Sequence, residues 1–289
     1  MVTVPSALEP VGPRPADADL IELWLRDRSP HTQSAYRRDV MKFLDHVGKV
    51  LAEVSVADLQ SYAEALSHLA EASRARMLSA IRSLLAFGHQ LGALPADVGW
   101  PLKLPTVPDN LANRILSEAD VQQIITKEPN PRNRTLVRLL YGAGLRVSEV
   151  CNLEWRDLAA DGDAGQITIR GSTTARVVQL TRATWDELLF LRDRAFASSN
   201  GSGPVFRSQK GGRLHASTVW RIVRAAAKRA GVDLPVSPYW LRHAHAAHAL
   251  DRGAPLHVVQ ATLGHRSVVS TDRYVRSRPA ASSGRYLQV

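Results

Sequence analysis

The sequence has 289 residues, of which 45% are hydrophobic, and this is enough for two globular domains with ordinary cores. Its formal net charge is +10, and the excess lies in residues 111–289, which hold 26 Lys and Arg against 14 Asp and Glu. This distribution predicts an anionic partner, whereas the lack of any apolar run of about 18 residues and of a leader argues against a membrane span or secretion.

The first part of the chain reads as a small helical domain. Residues 1–16 contain four prolines and no periodicity, which predicts a mobile tail. Four amphipathic helices follow, one over 17–28, one after the Ser29-Pro30 start signal, one beginning near Ser55 and one over 73–90. Together they predict a helical domain over 17–94, separated by a proline-rich linker at 95–113 from a second domain.

Basic side chains lie off the apolar faces of these helices and are predicted to face an anionic ligand. A solvated polar face is the alternative, and the sequence leaves it open. The residues are Arg37, Arg38 and Lys42 on the second helix and Arg74, Arg76 and Arg82 on the fourth.

The second domain, predicted at 114–276, combines helices with one β-hairpin. Segments 166–170 and 176–180 alternate with the strand period around a GSTTA turn. Helices are predicted over 216–230, over 238–252 and from Pro255 to Gly264, and a helical turn is predicted from residue 268. The helix over 216–230 carries a basic stripe able to follow phosphates, formed by Arg221, Arg224 and Lys228 with Arg229 beside them. A solvated face is the alternative.

Four polar residues of this domain stand in a fixed order. Arg146 follows a Gly-Ala-Gly break, Arg242 lies inside the helix 238–252, His265 follows Gly264, and Tyr274 comes nine residues after His265. This arrangement resembles the tyrosine recombinase family, the phage-integrase and Xer-like enzymes that cut and rejoin DNA. The resemblance extends from about residue 17 to Tyr274.

The resemblance implies a mainly α fold. It implies a helical core-binding, SAM-like domain and a mostly helical catalytic domain with a small antiparallel sheet. The implied partner is double-stranded DNA, bound by a homo-oligomer with a dimer per site and a tetramer in synapsis. The tail 277–289 resembles the segment by which such proteins dock on a neighbouring protomer. A cytoplasmic location is expected, in keeping with the single Cys151.

The resemblance also assigns roles to the four residues. Tyr274 is the expected nucleophile that forms a 3′-phosphotyrosine. Arg146 and Arg242 are expected to clamp the phosphate, and His265 to donate to another oxygen or help to take the phenol proton. No metal and no cofactor are expected, because the ten histidines lack accompanying cysteines.

Two departures from the family pattern leave alternatives open. Tyr239 stands where the family usually has a His, and Gly171-Ser172-Thr173 stands where it typically has Gly-Lys. Lys210 is the one lysine expected within reach as a replacement general acid. Arg170 and Arg176 could flank the site, but a guanidinium does not readily give up a proton. A non-cleaving DNA-binding relative that regulates a partner recombinase is the first alternative, and a type IB topoisomerase is the second.

Overall fold

The computed structural model describes residues 15–170, 175–196 and 203–276. The chain divides into two compact units, Met1–Pro108 and Asp109–Val289. The predicted tails and the GSTTA turn therefore lie outside the described residues, apart from the first two residues of α1 and from Ala175.

Unit 1 is a four-helix domain with one apolar core. Its helices are α1 (Pro15–Leu25), α2 (Pro30–Val47), α3 (Val56–Ala65) and α4 (Glu71–Gln90). Ser29 and Ser55 begin α2 and α3 as predicted, because each side chain accepts a hydrogen bond from a backbone N–H of the first turn. The core is built from one face of each helix, with Phe43, Ile81 and Leu84 fully buried.

Unit 2 packs eight helices with a three-stranded sheet in its described part. The helices are α5 (Glu118–Thr126), α6 (Pro131–Gly142), α7 (Val147–Asn152), α8 (Arg182–Phe196), α9 (Ala216–Ala230), α10 (Pro238–Asp251), α11 (Leu256–Leu263) and α12 (Val269–Arg276). The antiparallel strands β1 (Leu158–Asp161), β2 (Ala164–Arg170) and β3 (Ala175–Leu180) follow in the order β1-β2-β3. The mainly α fold with a small antiparallel sheet is therefore confirmed.

The predicted linker contributes to both cores. Leu102 is buried in the core of unit 1, whereas Leu111 is buried in unit 2 beside α10 and α12. The prolines keep this segment irregular, but its leucines bury apolar surface against the nearest unit. Cys151 is a buried residue of the unit 2 core.

Candidate active site

A glycine break after α6 places Arg146 at the start of α7. Gly144 has a φ of +59°, and a Cβ atom there would lie 2.9 Å from side-chain atoms of both His245 and Leu263. Only glycine satisfies this backbone and this packing without strain. Arg146 follows in an extended conformation immediately before α7, so its side chain projects from a backbone fixed on both sides.

The guanidinium groups of Arg146 and Arg242 converge on the end of α11. Arg146 Nη2 donates to the Gly264 carbonyl at 2.8 Å, and Arg242 Nη2 donates to the Leu263 carbonyl at 2.6 Å. Arg242 Nη1 also donates to the Gly144 carbonyl. Burial, followed by the charge of Arg146, lowers the pKa of Arg242 to about 10, so Arg242 remains a cation at neutral pH.

His265 lies just beyond the end of α11. Gly264 ends the helix with a φ of +61°, and the His265 N–H donates to the Gln260 carbonyl at 3.2 Å, as in a Schellman motif. The Nδ1 atom of His265 lies 2.9 Å from Thr271 Oγ1, which fixes the plane of the imidazole. Burial and the charges of Arg242 and Arg146 lower the pKa of His265 to about 4.

Tyr274 lies on α12 with its ring buried. The ring packs in a cluster with Leu111, Leu250 and Leu263, and its hydroxyl lies 2.7 Å from Nδ1 of His243. Burial raises the pKa of Tyr274, while the nearby charges of Arg242 and Arg273 oppose that rise. The four residues predicted from the sequence are thus brought together around the turn that joins α11 to α12.

Sequence reasoning missed Glu149, which organises the arginines, whereas Arg176 was expected only to flank the site. Glu149 accepts hydrogen bonds from the Arg146 N–H at 2.7 Å and from Arg176 Nη1 and Nη2 at 2.8 Å each. Arg176 Nε in turn donates to the Thr262 carbonyl at 2.7 Å. The signal for Glu149 is its place three residues after Arg146, and that for Arg176 is its place directly after the GSTTA turn.

A cleft of about 1050 Å³ opens beside these residues. Arg146, Arg176 and His265 line it, and β2 and the 207–213 turn contribute further cations, Arg170 and Arg213. Several of these arginines pair with carboxylates at the cleft wall, including Arg170 with Asp157 and Arg213 with Glu154. The cleft therefore presents many guanidinium donors in a fixed arrangement.

The two predicted replacement residues, Tyr239 and Lys210, lie in more exposed positions. Tyr239 is 47% exposed at the start of α10, with its ring edge-on to Trp220. Lys210 is exposed in a turn, and it is Arg213 of that turn that lines the cleft. The residues Gly171, Ser172 and Thr173 of the altered hairpin turn lie outside the described residues.

The predicted DNA-binding residues of unit 1 differ in how they are paired. Arg37 forms an ion pair with Glu22, and Arg76 forms one with the buried Asp39. Arg38 donates to a carbonyl of its own helix. Lys42 and Arg82 are exposed, while Arg74 is half-buried. These pairings reduce the net charge that Arg37 and Arg76 present.

The predicted basic stripe on α9 is exposed along its whole length. Arg221, Arg224 and Lys228 are all exposed, and the opposite side of the helix packs Val219 and Val223 into the core. Arg229, next to the stripe, is held by the buried Glu128 instead. The spacing of the stripe residues places three cations on one helix face.

The described ranges offer neither a membrane span nor a cluster of metal ligands. No helix there is long and apolar enough to cross a membrane. Nor does that part of the chain contain a group of three His, Cys, Asp or Glu side chains able to hold a metal ion.

Two family models match the chain. Residues 114–281 match the phage integrase family, and residues 20–90 match the phage integrase N-terminal SAM-like domain. The first of these matches covers more than half of the chain. The matched ranges include the four residues that converge around the α11–α12 turn.

Relatives of known name extend over nearly the whole chain. The sequence is 32% identical over 282 residues to tyrosine recombinase XerD of Corynebacterium glutamicum, covering 88% of this chain and 92% of that protein. It is 33% identical over 291 residues to tyrosine recombinase XerC of Brucella suis biovar 1, covering 90% and 91%.

Solved structures share the fold at lower identity. A lambda integrase (75-356) dimer bound to a COC′ core site matches with a TM-score of 0.72 at 18% identity, covering 92% of this chain and 96% of that chain. The XerH recombinase bound to its difH substrate matches with a TM-score of 0.70 at 17% identity, covering 90% and 81%. Sequence and fold agree, and the chain belongs to the phage integrase family and is a tyrosine-type recombinase.

Proposed function

We propose that this recombinase is site-specific and that it cuts and rejoins double-stranded DNA through a 3′-phosphotyrosine at Tyr274. The observation that carries the proposal is the convergence of Arg146, Arg242, His265 and Tyr274 around one turn. These residues come from widely separated parts of unit 2. Convergence of two cations, an imidazole and a phenol suits transfer of a phosphodiester to a tyrosine.

The chemistry needs a nucleophile and neutralisation of the nonbridging phosphate oxygens. A tyrosine with an ordinary pKa is only about 0.1% phenolate at neutral pH, so positive charge or a base must assist it. Arg146 and Arg242 supply charge, and each clamp contributes about 3 kcal/mol by analogy with oxyanion-hole donors. The phosphotyrosine bond retains the energy of the phosphodiester bond, so religation requires no nucleotide. None of the proposed steps uses a metal ion.

DNA binding is assigned to the cleft and to exposed cations of both units. The stripe of Arg221, Arg224 and Lys228 is the best placed, since none of its three positions is buried. Lys42 and Arg82 are exposed cations of unit 1 that could add phosphate contacts. Contacts of this type fix the register on DNA rather than read its sequence.

Assembly on DNA is proposed from the similar recombinases. Solved structures of lambda integrase show a dimer bound to a core site and a tetramer bound to a Holliday junction. We extend this arrangement to the present chain as a dimer per site and a tetramer in synapsis. The predicted docking of the tail 277–289 on a neighbouring protomer is part of this proposal.

The altered hairpin turn favours a second candidate function, that of a DNA-binding protein that does not cleave. Ser172 and Thr173 have hydroxyls that are poor proton donors at neutral pH, so the leaving 5′ oxygen lacks the usual lysine. Lys210, an arginine or water would have to supply that proton, and Tyr239 would have to replace the usual His. If none does so, the chain would be a non-cleaving DNA-binding relative that regulates a partner recombinase.

A direct assay separates these functions. Purified protein is incubated, with a chelator present, with DNA that carries its flanking genomic sequence, and covalent adducts and exchanged strands are measured. The proposal predicts both products, and Tyr274→Phe removes both while DNA binding stays within a few-fold. Binding without any adduct would support the non-cleaving relative, and relaxation of supercoils without strand exchange would support a type IB topoisomerase.

A further inference from the structure

Helix α10 carries two tyrosine–histidine pairs of the same kind. Nδ1 of His243 lies 2.7 Å from the Tyr274 hydroxyl, and the two ring centroids are 5.7 Å apart. One and a half turns further on, Nδ1 of His248 lies 3.0 Å from the Tyr141 hydroxyl, with centroids 5.8 Å apart. Only the first pair contains the tyrosine assigned as nucleophile.

We propose that His243 is a further catalytic residue, the base that accepts the phenolic proton of Tyr274 during cleavage. This inference rests on the proposed function of Tyr274. It reassigns a role that the sequence left open for His265, because Nδ1 of His265 faces Thr271 while the Tyr274 hydroxyl faces His243.

The proton and electron movements of the step balance. As Tyr274 Oη attacks phosphorus, its O–H bond breaks and the proton moves to Nδ1 of His243. The new P–Oη bond forms while the bond from phosphorus to the 5′ oxygen breaks, and that oxygen takes a proton from water or from an acidic side chain. In religation the 5′ hydroxyl returns its proton to water or to that side chain as its oxygen attacks phosphorus. The P–Oη bond then breaks, and the departing Tyr274 oxygen recovers the proton from His243.

The surroundings keep His243 able to accept a proton. Burial, followed by the charge of Arg242, lowers the pKa of His243 to about 4, so its ring is neutral at pH 7. The charged groups around it are Arg242 on α10, Arg273 on α12, and Arg114 and Asp109 from the segment before α5.

His265 also lies near enough to His243 for a positive charge on His243 to lower the pKa of His265. A bound DNA phosphate would add negative charge to this mainly cationic group. Because opposite charge favours the protonated imidazole, phosphate binding would raise the basicity of His243 as Tyr274 reacts. The base would thus gain strength when its substrate is present.

A substitution on α10 tests this base. His243→Asn places an amide near the position of Nδ1 and retains hydrogen bonding without a basic nitrogen. His248→Asn is the matched control, because it changes an equivalent tyrosine–histidine pair on the same helix. Tyr274→Phe tests the proposed function itself.

The rate of adduct formation is measured in single turnovers between pH 6 and 9. The DNA carries sulfur in place of the bridging 5′ oxygen, so departure needs no proton and the rate reports activation of Tyr274. We expect the parent and His248→Asn to show a flat profile near neutral pH. His243→Asn should be about 100-fold slower at pH 7 and should gain nearly tenfold per pH unit, because hydroxide then removes the proton.

Added imidazole should restore part of the rate in His243→Gly. The glycine variant provides the test of His243 if the asparagine variant does not bind DNA or melts at a lower temperature than the parent. A pH profile of His243→Asn that matches the parent, or absence of imidazole rescue in a folded glycine variant, would overturn the role of His243. Failure of the proposed function gives a different result, namely no adduct with the parent or a persistent adduct with Tyr274→Phe.

Discussion

At the residue scale, Glu149 connects two of the arginines that line the cleft. Its side chain is 12% exposed and accepts hydrogen bonds from both Arg146 and Arg176. Burial by itself would raise the pKa of Glu149, but the hydrogen bonds from Arg176 and Arg146 lower it to about 2. The carboxylate therefore stays charged at neutral pH and holds both guanidinium groups in place.

Glu149→Gln should destabilise unit 2 in a pH-dependent way. A pKa lowered from 4.5 to about 2 corresponds to about 3 kcal/mol of stabilisation by the charged form. That contribution is fully present above pH 4.5 and is lost as the pH falls toward 2. The difference in free energy of unfolding between parent and variant should therefore be about 3 kcal/mol at pH 7 and should shrink below pH 4.5.

Urea denaturation at several pH values measures this difference. Asp163→Asn is the control, because the Asp163 side chain is 89% exposed and its neutralisation should change stability little at any pH. A difference for Glu149→Gln that stays constant from pH 7 to pH 3.5 would show that the charge of Glu149 does not contribute as described.

The residues that sequence reasoning found and missed differ in where their partners lie. Local sequence signals reveal three of the site residues. A glycine precedes Arg146 and His265 closely, and Tyr274 follows His265 at a fixed spacing. The HAHAAH run instead reads as histidines on differing faces of a helix. The partner of His243 lies 31 residues further on, and only the packing of α12 against α10 shows which histidine faces Tyr274.

At the element scale, helices were easier to predict than the sheet. The helix 216–230 agrees with α9 at both ends, because Val219, Ile222 and Val223 mark a clear apolar face. Strand β1 was missed, since its sequence LAAD is largely exposed and has no alternating pattern. This strand forms because it pairs with β2, and a short stretch of sequence does not reveal such a tertiary contact.

The glycine break before Arg146 provides an element-scale prediction. Gly144→Ala adds a Cβ that would meet His245 and Leu263 at 2.9 Å, in addition to the cost of a left-handed backbone. Gly162→Ala has nearly the same φ, +60°, with no neighbouring atom within 4 Å, and isolates the backbone cost of about 1–2 kcal/mol.

Gly144→Ala should therefore be more destabilising than Gly162→Ala by about 1–3 kcal/mol. It should also reduce covalent adduct formation, because the Gly144 carbonyl accepts a hydrogen bond from Arg242. Thermal melts and the adduct assay check both effects. Equal stability of the two variants would mean that the packing around Gly144 relaxes without cost.

At the scale of the whole molecule, charge is concentrated where DNA is proposed to bind. Residues 111–289 carry a net +12, and the exposed stripe on α9 contributes Arg224 and Lys228. Nonspecific DNA affinity should fall steeply between about 50 and 200 mM salt, because each neutralised phosphate contributes close to one unit of log-log slope.

Filter binding or fluorescence anisotropy at several salt concentrations measures that slope. Arg224→Ala and Lys228→Ala should each lower the slope by about one. Arg182→Ala is a control on α8, where Arg182 pairs with Asp186, and it should leave the slope unchanged. A parent slope near zero would contradict an electrostatic DNA-binding surface.

The most direct test of the account uses DNA with sulfur in place of the bridging 5′ oxygen, followed by mapping of the covalently modified peptide. Sulfur leaves without a proton, so the missing hairpin lysine cannot limit this reaction. If Tyr274 is the nucleophile, an adduct should form rapidly, with the nucleotide attached at Tyr274. Intact DNA binding at the correct site with no adduct, or attachment at another tyrosine such as Tyr286, would contradict it.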